Sequence, residues 1–200
     1  MALDTYTNLK LAVADWLHRS DLTSQIVDFI SLAEEKMWHD LRVREMENDT
    51  TVSTTSRTVA LPTGLLEIRR AYINTNPPKL IKFMSPEQIM NNYNASNGEP
   101  KYYTIVGSNI QFERTPDSSY SVYLQYYKKL TALSGSNATN DILTYYPSVY
   151  LFGTLLQAAA YMVDDIRVPL WEQKYRDAVD MANYQAVHGS FGNGLAVQAV

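Results

Sequence analysis

The sequence predicts an α+β fold: a four-helix body formed by N- and C-terminal helix pairs, with a β-rich insertion between them. Three observations carry this expectation. Apolar residues recur at three-and-four spacing near the N-terminus, the pattern shifts towards strand-like alternation after Arg42, and helical spacing returns from Pro147 onward. Residues 1–41 and 144–187 would form the helical body, 42–143 the β-rich insertion with one short helix, and 188–200 a flexible C-terminal tail.

The first helix follows from Tyr6, Leu9, Val13, Trp16 and Leu17, which fall on one face of a 3.6-residue repeat. Ser20, Asp21 and Thr23 interrupt that face. Thr23 is expected to cap a second helix, with Leu22 and Val27 as a hydrophobic staple across its start. That helix runs to about Leu41, burying Ile26, Phe29, Ile30, Ala33, Met37 and Leu41. Asp28, Glu34, Glu35 and Asp40 are left for water or a partner. The two helices would form an antiparallel hairpin.

Thr50 to Thr58 is rich in β-branched and hydroxyl residues, which favours strand or exposed loop over helix. Val59–Leu61 and Leu65–Asn74 read as strands separated by Pro62 and Gly64, and Asn76, Pro77 and Pro78 force a turn before a short strand at Lys79–Phe83. Ser85, Pro86, Glu87 and Gln88 form a capping box with proline at the first helical position, so a short helix spans about Pro86 to Tyr93. After a loop at Asn94–Pro100, Gly107 and Ser108 join Lys101–Val106 to Asn109–Arg114 as a hairpin. Tyr120, Val122, Leu124 and Tyr126 then alternate with polar residues and tyrosines as a half-buried strand does. Thr131–Asp141 reads as a polar loop. Pro147–Val163 is apolar almost all round and predicts a helix buried among others, and Pro169 opens a last helix reaching about Val187.

Composition narrows the function. The chain is 46% hydrophobic, enough to bury a core, yet only 19% charged, with 15 tyrosines, so much of its polar surface is amide, hydroxyl and phenol. Such surfaces suit protein contacts. A net charge of −4 and a pI near 5.4 argue against a surface that neutralises many phosphates. The absence of cysteine removes disulfides, thiolate zinc sites and thiol nucleophiles. Asp4, Lys10, Asp15 and Arg19 break the first 20 residues, so no secretory leader is expected there.

Motifs for chemistry are missing. His18, His39 and His188 have no second ligand at metal spacing, and no nucleophile elbow or phosphate loop occurs. Asp164 and Asp165 sit between two predicted helices, where acidic residues serve as caps. Gln157 and the flanking Asp164, Asp165 and Arg167 make Pro147–Val163 a core or interface helix rather than a membrane span. Arg42, Arg44, Arg69 and Arg70 interleave with Glu45, Glu47 and Glu67, a pattern read as intersubunit ion pairs before a DNA path. The tyrosines of the β segment read as core and interface packing before a stacking platform for sugars or bases. No catalytic residue, cofactor or metal is expected.

Several segments, taken in order, resemble head-to-tail adaptor proteins of short-tailed bacteriophages. They are Asp15-Trp16-Leu17-His18-Arg19, Leu32-Ala33-Glu34 with Leu41-Arg42, Arg44-Glu45-Met46-Glu47, Leu61-Pro62 leading to Leu66-Glu67-Ile68-Arg69, Glu99-Pro100-Lys101-Tyr102, Tyr126-Tyr127 with Leu130, and Trp171-Glu172 with Tyr175. The resemblance covers about residues 5 to 187. It implies a non-enzymatic virion subunit, made in the host bacterial cytoplasm, that docks beneath the phage portal protein and meets a tail or nozzle protein. It further implies a closed, twelve-fold ring of copies through which genomic DNA passes without specific binding, and no membrane partner. Candidate interface residues are Arg19, Arg42, Arg44, Glu45 and Glu47, with Phe191, Leu195, Val197 and Val200 in the uncharged tail. Apolar residues beyond the Gly189–Gly194 stretch are expected to order on the portal or on a neighbouring subunit.

Overall fold

In chain order the elements are α1 (Tyr6–Leu17), α2 (Thr23–Asp40), β1 (Glu47–Thr54), β2 (Thr58–Ala60), β3 (Leu65–Ile73), β4 (Lys79–Phe83), α3 (Pro86–Asn91), β5 (Tyr102–Val106), β6 (Asn109–Phe112), β7 (Tyr120–Lys128), α4 (Asp141–Tyr145), α5 (Pro147–Tyr161) and α6 (Val168–Ser190). The structure is a computed structural model that describes residues 2–91, 96–162 and 166–190, without the side chains of 189 and 190. It comprises two compact units: Met1–Met46 with Leu130–Val200, and Glu47–Lys129.

In the helical unit, Thr5 caps α1 by accepting from the Asn8 N–H at 3.2 Å, and the helix ends where His18 enters the left-handed region at φ 54°. The start of α2 departs from expectation. Leu22 occupies the cap position without a side-chain bond, and Thr23 is the first helical residue, its hydroxyl donating to the Ser20 carbonyl at 3.3 Å. Leu22 is buried, whereas Val27 is 42% exposed. α5 is apolar on nearly every side and packs against α1, α2, α4 and α6.

Gly153 makes that packing close. A Cβ there would lie 3.1 Å from the Tyr175 ring and 3.2 Å from Met37 Cε, tighter than ordinary van der Waals contact. The glycine thus brings α5 up to both α2 and α6.

In the β unit the strand order is β1-β7-β3-β4-β5-β6-β2, antiparallel except for the parallel β4–β5 pair, which α3 joins as a crossover. β1 pairs with β7 along its whole length, from Glu47↔Tyr127 to Thr54↔Tyr120, and the outer strands β1 and β2 approach each other. The sheet is therefore nearly closed, like a barrel. Its core holds Ala71, Ile73, Ile81, Tyr103, Ile110, Phe112, Val122, Leu124 and Tyr126. The alternation along β7 puts Val122, Leu124 and Tyr126 inward as expected. The Ser85–Gln88 capping box forms in both directions, at 3.2 and 3.3 Å, and Gly107 takes φ +60° in the β5–β6 turn.

The expectation of a four-helix body with a β-rich insertion is corrected by this architecture. The described residues form six α-helices and a seven-stranded mixed, nearly closed sheet. Two physical causes underlie the difference. Asn140 accepts from the Leu143 N–H at 3.0 Å and so starts α4 at the end of what reads as a polar loop, adding a fifth helix to the helical unit. The β segment pairs its first strand with its last and builds its own core, so it is a self-closing sheet rather than a set of local hairpins.

Candidate assembly surfaces

Arg19 follows the left-handed end of α1, and its guanidinium donates twice to Asp21, at 2.7 and 2.6 Å. That bidentate pair, on the surface of the protein, holds the Asp21 carboxyl well below its ordinary value, at about 2. Arg42 is turned back on its own helix. Its Nη1 donates to the carbonyls of Trp38 at 3.0 Å and Leu41 at 2.6 Å, satisfying acceptors at the C-terminal end of α2. The Arg44 side chain is 73% exposed and stands 3.8 Å from Glu45, whose carboxylate also accepts from the Tyr146 hydroxyl at 3.2 Å. Arg44, Glu45, Tyr146 and Gln185 line an open groove of about 190 Å³.

Glu47, at the start of β1, pairs with Arg69 of β3. The β3–β7 register shifts between Ile68 and Arg70, so Arg69 is the extra residue of a bulge, and its guanidinium lies over the Tyr127 ring, 5.4 Å from the centroid. Of the glutamates read from the sequence as partners for neighbouring subunits, Glu45 and Glu47 thus stand against Arg44 and Arg69 within the chain. Phe191, Leu195, Val197 and Val200 lie outside the described residues, as do Asp164 and Asp165.

A second groove, of about 330 Å³, runs between α2 and α6. Four of the charges that line it are paired along their own helix, Lys36 with Asp40 at 3.1 Å and Arg176 with Glu172. Among the described residues no group of His, Asp and Glu could hold a metal ion, and no helix is long and apolar enough to cross a membrane.

The family model for the SU10 adaptor protein matches residues 4–197. The chain belongs to that family. It is accordingly a structural adaptor of a bacteriophage and a component of the virion. No curated protein matches the chain.

Two features of the adaptor escaped the sequence reading. Glu34, assigned to water or a partner, is only 4% exposed: one oxygen accepts from the Leu133 N–H at 2.7 Å and from the Tyr150 hydroxyl at 2.9 Å. Asn140 donates to that same hydroxyl at 2.6 Å, so a polar chain links α2, α5, α4 and the loop before α4. Burial raises the Glu34 carboxyl above its ordinary value and pushes the Tyr150 phenol up strongly. The available signal was spacing, since Glu34 stands four residues after Ile30 and three before Met37, both buried. The other feature is Asn183, whose oxygen accepts from the Arg42 N–H at 2.8 Å while its amide donates to the Asp40 carbonyl at 2.9 Å. One α6 side chain thereby braces the end of α2. Tyr175 adds a hydroxyl bond to Asp40 at 3.0 Å.

Proposed function

We propose that this adaptor closes into a ring of twelve copies beneath the phage portal, extends the DNA channel and presents the docking surface for the tail. The observation that carries the reading is the match of the SU10 adaptor family to nearly the whole chain, residues 4–197. A net charge of −4 suits a passage through which DNA slides without being held, with acidic side chains turned to the lumen. Repetition of one heterologous contact until rotation closes gives such a ring. Arg19, Arg42, Arg44, Glu45 and Glu47 border its subunit contacts. The tail residues Phe191, Leu195, Val197 and Val200 supply apolar contacts to the portal or to a neighbouring copy, at the ordering cost of a segment that folds on binding.

Native mass spectrometry of the full chain with purified cognate portal tests this. The expected result is a discrete portal complex carrying twelve adaptors, with an electron-microscopy projection that shows an added ring. A monomer that ignores the portal refutes the reading. Removal of residues 189–200 is expected to weaken portal binding, and unchanged binding refutes the role of the tail.

A further inference from the structure

One face of the sheet carries side chains that the fold itself does not use. Tyr72 of β3 pairs with Tyr123 of β7 on one side and Leu80 of β4 on the other, and the two rings stack with centroids 4.7 Å apart. These residues alternate with inward-facing Ala71, Val122 and Ile81, so they point away from the core. Leu80 is 60% exposed. Two positions along the same strands, on the same face, Arg70 and Lys82 are exposed and make no ion pair among the described residues. Asp49 shares the face from β1, beside Gln125 of β7, so the face carries one carboxylate as well as these two cations. The result is a stacked tyrosine pair and a leucine flanked by an arginine and a lysine: tyrosine and arginine are enriched at interfaces, and the lysine suits a polar rim.

The helical unit carries the complement. Along α2, Val27, Asp28, Ser31, Leu32 and Glu35 are exposed and lie on one face, with Leu32 at 48%. Neither Asp28 nor Glu35 makes an ion pair among the described residues. The same contrast holds across the chain. Residues 47–129 contain nine Lys and Arg against seven Asp and Glu, net +2, and the remainder contains eight against fourteen, net −6. A cationic aromatic sheet face and an anionic aliphatic helix face on one polypeptide are complementary between copies.

We propose that in the assembled adaptor the outer face of β3, β4 and β7 of one subunit docks on the exposed face of α2 of the next. Tyr72 and Leu80 cover Val27 and Leu32, while Arg70 and Lys82 meet Asp28 and Glu35. Each copy uses each face once, so the contact is heterologous and repeats around a closed ring. The inference rests on the ring reading above and adds to it the pair of faces that make the contact. Two cations set among tyrosines and a leucine are too few to track a phosphate backbone, which needs a longer basic surface.

Charge reversal with rescue tests it. The variants are Arg70→Glu with Lys82→Glu, Asp28→Lys with Glu35→Lys, and all four together, each compared with the unaltered chain by native mass spectrometry on purified portal. All four side chains are exposed, so each variant is expected to fold, which circular dichroism melts check. Either double reversal is expected to lower ring occupancy at least about tenfold, and the quadruple variant to restore it, because like charges are again replaced by opposite ones. An unaltered chain that forms no ring overturns the ring reading and the docking with it. A ring that forms normally in either double variant, or losses that the quadruple variant does not reverse, overturns the docking alone. Loss of tail attachment with an intact ring in Arg70→Glu with Lys82→Glu likewise overturns it, assigning the sheet face to the tail.

Discussion

Replacing Glu34 by alanine removes the acceptor on which a buried polar chain ends. Its oxygen takes the Leu133 N–H at 2.7 Å and the Tyr150 hydroxyl at 2.9 Å, and all three residues are buried. Without it, two buried donors lose their partner, each at about 1–3 kcal/mol. Part of that loss is offset, because the carboxylate no longer has to be desolvated, as the rise of its pKa with burial indicates. The net expectation is about 3 kcal/mol, or roughly 6–12 °C in the melting of a chain of this length. Glu34→Gln keeps an oxygen at the same reach and removes the charge, so it should stay within about 1 kcal/mol of the parent.

The pH dependence gives an independent check. The folded-state pKa of Glu34 is raised above its ordinary value of 4.5, so the folded protein holds the proton more tightly than the unfolded chain. The associated stability is complete below the unfolded pKa and is lost as pH rises through the folded one. The parent should therefore gain on Glu34→Gln as pH falls from neutrality towards 4.5. Urea titrations of both variants at pH 7 and at acid pH measure all three quantities. An alanine variant within about 1 kcal/mol of the parent would refute the reasoning, because a buried acceptor of two bonds cannot be that cheap to lose.

Asn183→Ala cuts both bonds that brace the end of α2 and is expected to cost about 2 kcal/mol by urea denaturation. Asn183→Asp keeps the acceptor for the Arg42 N–H but loses the donor to the Asp40 carbonyl, so it should not rescue fully. Gly153→Ala gains about 1 kcal/mol of helix propensity, yet places a Cβ 3.1 Å from the Tyr175 ring, where overpacking costs about 1–3 kcal/mol. A net loss is expected, larger for Gly153→Leu, and a more stable alanine variant would show that the close approach can relax. By NMR titration, Asp21 should protonate near pH 2 in the parent and move towards its ordinary 3.8 in Arg19→Ala. Because that pKa is lowered, any stabilisation by the pair persists at neutral pH and disappears as pH falls through about 2.

Where neighbours in sequence decide the structure, the sequence was legible. The α1 face apart from Trp16, which is 46% exposed, the Ser85–Gln88 capping box, β4 at Lys79–Phe83, the Gly107 turn and the inward row of β7 all depend on residues within a turn or two of each other. What escaped depends on distant partners. Glu47–Asp49 joins a strand because Tyr127–Gln125, far along the chain, supplies its ladder, and β1 has no strong alternation of its own to announce this. Asn140 sits in a polar stretch, and its role as the cap of α4 shows only once Tyr150 and Thr131 hold its amide. The same limit applies to the candidate surfaces. The interleaved arginines and glutamates were visible as a pattern, but not that a bulge would bring Arg69 to Glu47 or that Arg42 would turn back onto its own helix.

These internal pairings redirect the search for contacts between copies. A charge already held within the chain contributes little to a new contact, since docking must first break or screen the existing pair, and exposed pairs are worth only about 0–1 kcal/mol. Arg19 with Asp21 and Arg69 with Glu47 are satisfied in this way. Arg70, Lys82, Asp28 and Glu35 are not, and each stands on a regular element beside an exposed apolar neighbour. Side chains that fold stability does not require, held on rigid strands and helices, meet a partner without first reorganising. In the proposed docking the centre of the contact between copies therefore falls on the outward rows of β3, β4 and α2, and the arginine and glutamate cluster that the sequence displays most openly is left to its border.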